Sequence, residues 1–414
     1  MICGLYILFI LAAYPHVRVC KPVYDEWDIL EFLNILGTDP DSRLNVSSLI
    51  SSKGYPVEDH TVQTKDGYLL AVQRIRYGRQ GWNKFLGKRP VAFLQHGLLS
   101  SATDWVINFP KQSLGFILAD AGFDVWLGNI RGNTYSRRHI KYSPDMKQFW
   151  EFSFDEMGEY DLPAMIDYAL NFTGQTQLFY VGHSQGTTSA FAMLSQKPEY
   201  NKKIKLFVGL APVATVGYMT SAIRYLAPFT SDLDFLFEIL GVSEFLPNNA
   251  VMKYLSELVC NTPAKFICED VIFLLCGTDY SQMNTTRLGV YVAHTPAGAS
   301  TRSIIHYAQM INSKKFLKYD FGEKGNMQHY NQSVAPEYFV ENITAPVALF
   351  WSKNDKLADG TDVALLQQKL KNVVSVTCVK YDQFNHLDFV WALHANTLVY
   401  EEVLMLLKKY SSNL

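Results

Sequence analysis

Short runs of apolar residues recur along the chain, and several of them end in a polar or glycine-bearing loop. Val91–Gln95 runs into His96-Gly97-Leu98, and Phe123–Leu127 runs into Gly128-Asn129-Ile130-Arg131-Gly132. Leu178–Val181 and Leu206–Leu210 follow, and Val347–Trp351 and Val374–Val379 come near the far end. Runs this short and this apolar predict parallel strands covered on both faces. Between them Ser113–Ala121, Tyr160–Leu170, Val363–Leu370 and Ala395–Lys408 carry helical spacing. Strands alternating with helices predict an α/β architecture with a mostly parallel central sheet. Ahead of that alternation, two β-rich runs flank Asp66-Gly67, which predicts a hairpin ending near Ile75. Residues 78–89 are polar and read as a surface loop.

The alternation breaks between about 214 and 337. That stretch is rich in large apolar residues, among them Leu233, Phe235, Leu236, Phe237, Ile239 and Leu240. Met252, Leu255, Leu258 and Val259 recur at helical spacing. A further helix is expected after Pro296-Ala297-Gly298-Ala299-Ser300, with Ile304, Ile305, Ala308 and Ile311 along one stripe. The stretch reads as a helical cap folded over one edge of the sheet, a lid above an apolar cavity. Extra core belonging to a larger fold is the other reading, and both can hold. The expected division is a core over 51–213 and 338–414, a cap over 214–337 and an N-terminal extension over 21–50. A helix near Asn45–Ile50 is expected in that extension, capped by Asn45 or Ser47.

Leu5–Ala13 has the length and apolarity of a signal-peptide core and is too short to span a bilayer. Residues 1–20 are therefore expected to be a signal peptide, cleaved between Ala13 and Cys20, although no Lys or Arg precedes the apolar run. A buried N-terminal strand or helix is the alternative. No later stretch is long and apolar enough for a transmembrane helix. Composition adds a second constraint: 48% hydrophobic and 18% charged residues over 414 positions describe a packed globular protein. A net charge of −2 provides no basic surface for nucleic acid or an anionic membrane.

The chain has six cysteines. Cys3 would leave with the signal, and Cys260 and Cys268 are close enough to close a small loop in an oxidising compartment. Cys276 and Cys378 lie in apolar runs and read as buried free thiols. No Cys/His spacing suggests zinc, and no cofactor is expected. In an exported protein the sequons at Asn45, Asn171, Asn284, Asn331 and Asn342 are candidate glycosylation sites.

The chemistry centres on Gly182-His183-Ser184-Gln185-Gly186, which follows one apolar run and opens a helix-compatible stretch. Strand, G-x-S-x-G and helix in that order form the nucleophile-elbow pattern of the α/β-hydrolase fold. Glycines two residues either side of the serine relieve the collisions of a very tight turn. A serine nucleophile needs a base, an acid that orients the base, and donors for the developing oxyanion. In this fold the order is Ser, then Asp or Glu, then His, each on a loop beyond a strand. Trp351 runs into a loop offering Asp355, with Asp359 and Asp362 placed to cap the next helix. Val379 runs into the loop offering His386, whereas His394 lies within a helical pattern and reads as structural. The oxyanion donors expected are the N–H groups of Gln185 and Leu98, with Gly97 allowing close approach. His96 and His183 read as residues that shape these turns.

With those residues placed, the chain resembles the acid lipase family, the gastric and lysosomal acid lipases. The resemblance is carried by QHGLLSSATDW (95–105), DVWLGNIRGNTYSR (124–137), FSFDEMGEYDLPA (152–164), YVGHSQGTT (180–188), NTTRLGVYVAHTPAGAS (284–300), NDKLAD (354–359) and NHLDF (385–389). It implies an α/β-hydrolase with cap and lid that cleaves acylglycerols and steryl esters without metal or cofactor. It implies triad roles for Ser184, Asp355 and His386 and oxyanion roles for Leu98 and Gln185. It also implies a cap disulfide, Cys260 with Cys268, beside a free thiol at Cys276. The chain departs from the family in the Cys260–Cys268 spacing, in Lys353 before Asn354, and around Pro247-Asn248-Asn249. The expected partner is a lipid substrate at an oil–water or membrane interface, the expected state a monomer, and the expected location secreted or lysosomal. A carboxylesterase on small soluble esters and a non-catalytic lipid carrier on the same fold are the competing readings.

Overall fold

The computed structural model describes residues 39–81, 88–229, 241–248, 260 and 266–411. The expected signal peptide, Leu233–Leu240 and the Met252–Val259 helix lie outside the described residues.

The sheet is formed by β1 (Glu58–Gln63), β2 (Tyr68–Ile75), β3 (Val91–Gln95), β4 (Asp124–Gly128), β5 (Arg138–His139), β6 (Leu178–His183) and β7 (Ile204–Leu210). After a separate two-stranded pair, β8 (Glu244–Phe245) with β9 (Ala299–Ser300), it is completed by β10 (Val347–Trp351) and β11 (Val373–Cys378). Among the described residues its order is β1-β2-β4-β3-β6-β7-β10-β11, with β5 against β2. The six strands from β4 to β11 pair in parallel, and the β1–β2 hairpin joins them antiparallel. The hairpin turns at Gly67, whose φ of +104° suits glycine.

Every residue of β3, β4 and β6 is buried, which is why these strands read as mostly apolar runs; the buried Asp124 that opens β4 is paired with Arg74. The edge strand β11 differs: its residues are half-buried or exposed. Cys378 is accordingly half-buried rather than enclosed, while Cys276 is buried.

Helices cross between the parallel strands. Leu114–Asp120 follows β3, Leu162–Thr173 precedes β6 and ends at Gly174 in the left-handed conformation, and Gln185–Gln196 follows β6. Helix Gly360–Lys369 is capped by Asp359, which accepts from the Thr361 N–H. The last helix, Glu401–Ser411, places Glu401 and Glu402 in its first turn and Lys408 and Lys409 in its last, matching the helix dipole. His394 lies in the turn ahead of that region rather than within a helix, and its Nδ1 meets Gln282 Oε1 at 3.2 Å.

At the other end, helix Val46–Ser52 is capped by the Asn45 side chain, which accepts from Ser48 N, and buries Val46, Leu49 and Ile50. Arg287 joins this region to the segment between β7 and β10 through Asp39 and Asp41, both at 2.8 Å. Within that segment, helix Thr301–Ser313 is capped by Ser300; of the expected stripe Ile305 and Ala308 are buried, whereas Ile304 and Ile311 are half-buried and Met310 is enclosed instead. Tyr307 Oη donates to Thr188 Oγ1, tying that helix to the one after β6. Cys260 and Cys268 are joined by a disulfide. No helix among the described residues is long and apolar enough to cross a membrane.

Candidate active site

Three loops at the C-terminal ends of parallel strands converge where β6 meets its helix. Ser184 has φ +52° and ψ −121°, a conformation that L side chains rarely adopt. Its N–H is held by Leu210 O at 3.1 Å. The flanking glycines are there because nothing larger fits. A Cβ on Gly182 would lie 2.9 Å from the Gly186 backbone, and one on Gly186 only 2.4 Å from Gln95 O. Tyr180 Oη donates to Gly186 O at 2.7 Å, closing the turn from below.

Ser184 Oγ lies 2.8 Å from His386 Nε2, and His386 Nδ1 lies 2.8 and 3.0 Å from the two carboxylate oxygens of Asp355. A carboxylate only accepts, so Nδ1 carries the ring proton and Nε2 is free to accept from the serine hydroxyl. Asp355 Oδ1 also accepts the N–H groups of Leu357 and Ala358, which fixes the carboxylate. Asp355 and His386 are buried and Ser184 is half-buried, leaving the hydroxyl as the accessible end. Such an arrangement can take a proton from serine and return it to a leaving group. Of the competing acids, Asp359 caps its helix, and Asp362 is held by Thr215 Oγ1 and the Tyr218 N–H.

The loop after β3 passes beside the serine: a Cβ on Gly97 would lie 3.1 Å from Ser184 Cβ. Leu98 follows at once, and Gln185, next to Ser184, opens the helix after β6. Both candidate oxyanion donors therefore belong to backbone segments adjoining Ser184. His96 Nδ1 donates to Gly97 O at 2.8 Å, and its Nε2 faces Ile130 N and Asn133 Nδ2. Burial pushes the His96 imidazole down to about 4 and that of His183 down to about 3. Both rings are thus neutral hydrogen-bonding struts at the turns they shape.

The sequence reading missed the partners that hold these loops. His183 bonds the backbone of His386, and Asn354, Lys356 and Asn385 bond three carbonyls of the segment inserted between β7 and β10. Asparagines immediately before both the acid and the histidine, in NDKLAD and NHLDF, were the only available signal. Of the five sequons, Asn45, Asn171, Asn331 and Asn342 are exposed, and Asn284 is half-buried with its Oδ1 accepting from Thr286.

The family model described as the alpha/beta hydrolase fold matches residues 90–393, and a partial alpha/beta-hydrolase lipase region matches residues 46–109. A solved structure from Sulfolobus solfataricus shares the fold with a TM-score of 0.52 at 15% identity, covering 85% of this chain and 99% of that one. The class is therefore the α/β-hydrolases. Among curated proteins, human gastric triacylglycerol lipase is 47% identical over 89% of this chain and 92% of its own. Human lysosomal acid lipase/cholesteryl ester hydrolase is 44% identical over 91% and 94%. Lipase lipl-1 of Caenorhabditis elegans is 46% identical over 88% and 92%. Within the α/β-hydrolases the chain belongs to the acid lipase family, a family of carboxylic ester hydrolases.

Proposed function

We propose that the protein is a secreted or lysosomal serine lipase that hydrolyses acylglycerols, with steryl esters as a second substrate class. The observation that carries this reading is the unbroken hydrogen-bonded series from Ser184 through His386 to Asp355. In the first half-reaction His386 Nε2 takes the Ser184 proton while Oγ attacks the ester carbonyl carbon. The tetrahedral oxyanion is held by the N–H groups of Leu98 and Gln185. The imidazolium, stabilised by Asp355, gives its proton to the departing alcohol and leaves an acyl-Ser184 ester. Water then repeats the sequence, activated by His386, and releases the fatty acid. No metal or cofactor is called for in these steps.

A lipid surface as the partner is supported by exposed Tyr225, Phe229, Phe266 and Ile267, all in the segment between β7 and β10. That segment, over 214–337, is the proposed cap, with the core over 51–213 and 338–414 and the active form a monomer. Export fits the Cys260–Cys268 disulfide and the exposed sequons. The test is Ser184→Ala assayed on emulsified triolein and on a soluble short-chain ester, with active-site phosphonate labelling mapped to a peptide. Loss of both activities in the variant and a label on Ser184 in the wild type are expected; undiminished turnover by the variant would end the reading. A rate that jumps above the substrate's solubility limit separates a lipase from an esterase on small soluble esters.

A further inference from the structure

We infer that the turn Cys276–Asp279 is a clamp that locks the Asp355 loop against the His386 loop, with Asn354 as the positioning residue that reads it. The inference rests on the catalytic reading of Ser184, His386 and Asp355 above. The turn belongs to neither loop. It closes helix Phe266–Cys276, in the segment inserted between β7 and β10, while the loops it touches follow β10 and β11.

Three consecutive carbonyls of the turn are each taken by a donor at or beside a triad residue. Cys276 O accepts the Lys356 N–H at 3.3 Å and the His386 N–H at 3.4 Å. Gly277 O accepts Asn385 Nδ2 at 3.0 Å, and Thr278 O accepts Asn354 Nδ2 at 3.0 Å. Asn354 Nδ2 donates in addition to Gln383 O at 2.7 Å, so one amide group joins the acid loop, the histidine loop and the insertion. Gly277 has φ +114°, and a Cβ there would lie 2.1 Å from Asn354 O. The backbones are thus in direct contact, and only glycine permits it.

The histidine side of the clamp is itself tied off. Asn385 Oδ1 accepts the N–H groups of Leu387 and Asp388, and Asp388 Oδ2 accepts the Asn385 N–H at 2.7 Å. Side chains held this way keep reacting groups within the small displacement that proton transfer tolerates. The carbonyls are backbone atoms, so the work of recognition falls on the asparagine amides. Asn354 is the more tractable of the two, because it is half-buried and its loss leaves carbonyls that water can reach.

The experiment compares the full-length wild type with Ser184→Ala, Asn354→Ala and the isosteric Asn354→Asp. It measures kcat and KM on a soluble short-chain ester across pH, with thermal unfolding of each variant. Asn354→Ala is expected to lose about 10- to 100-fold in kcat with KM and the unfolding midpoint near those of wild type. In Asn354→Asp the introduced carboxyl cannot donate when ionised, whereas its protonated form can. The ratio of Asn354→Asp to wild-type kcat is therefore expected to rise as pH falls through the ordinary carboxyl range near about 4. A wild-type kcat in Asn354→Ala, or a ratio for Asn354→Asp that stays flat with pH, overturns the clamp. Full turnover by Ser184→Ala instead overturns the catalytic reading beneath it, so the two failures are told apart.

Discussion

The Nε2–H of His183 donates to the backbone carbonyl of His386 across 2.9 Å, so the residue before Ser184 supports the loop carrying its hydrogen-bond partner. Because a carbonyl only accepts, the ring proton lies on Nε2, and burial, with His386 nearby, keeps the ring neutral with a pKa pushed down to about 3. His183→Leu removes the donor and leaves a buried carbonyl without its partner, at a cost of about 1–3 kcal/mol in stability. It is also expected to lower kcat about 10-fold or more, since the imidazole it supported shifts relative to Ser184. His183→Gln keeps a donor and should recover part of that loss. Equal kcat in wild type and His183→Leu, measured on a soluble ester, would show that this bond does not position His386.

Gly186 makes a sharper prediction. A methyl group there meets Gln95 O at 2.4 Å and His96 O at 2.9 Å, both backbone atoms of the strand β3 and its following loop. Neither can turn aside as a flexible side chain could. Gly186→Ala is expected to destabilise the fold by about 3 kcal/mol and to abolish phosphonate labelling at Ser184. Urea unfolding and labelling of the same sample check it; a variant that is fully stable and labels normally would contradict the steric account of the elbow.

What could be read from the sequence divides along physical lines. The parallel strands were legible because burial on both faces forces mostly apolar runs, as in Val91–Leu94, Val125–Leu127 and Leu178–Val181. The edge strand β11 read the same way, yet its residues are half-buried or, at Val374, exposed, since Val, Thr and Cys suit an edge as well as a centre. The serine turn was legible because glycines at 182 and 186 have a steric cause. Asp355 and His386 were legible through chain order, and the structure brings both to Ser184. The clamp was not legible: Cys276, Gly277 and Thr278 act through carbonyls, which every residue possesses. Nor was the pairing of Arg131 with Asp66, because 65 positions separate them.

That pairing carries its own expectation. Arg131 is buried, bonds Asp161 through Nε at 2.8 Å and Asp66 through Nη1 at 2.6 Å, and lies 4.0 Å from the Tyr68 ring centroid. It fastens the tip of the β1–β2 hairpin to the loop after β4. Arg131→Met leaves the fully buried Asp161 carboxylate uncompensated and should cost about 3–5 kcal/mol. Arg131→Lys keeps the charge but cannot span both acids with a planar fork, so it should recover only part of the loss. Denaturant midpoints of the three proteins give the test; a loss under about 1 kcal/mol in Arg131→Met would contradict it.

The pH dependence of stability follows from groups outside the triad. Burial pushes the Asp104 carboxyl up to about 7, above its unfolded value near 4. The native state therefore holds this proton more tightly than the unfolded chain does. Its stabilising contribution is complete below about pH 4 and is lost as pH rises toward about 7. His96 and His306 run the opposite way, because burial pushes both down to about 4 from an unfolded value near 6.5. Their contribution is complete above about pH 6.5 and is lost as pH falls toward about 4. Asp104→Asn removes the first trend and leaves the second. Relative to wild type, the variant should therefore gain stability as pH rises from about 4 to about 8, with a curve that climbs and then levels. Thermal midpoints at a series of pH values decide it: a difference between the two proteins that does not change with pH would mean that Asp104 keeps an ordinary carboxyl affinity for its proton.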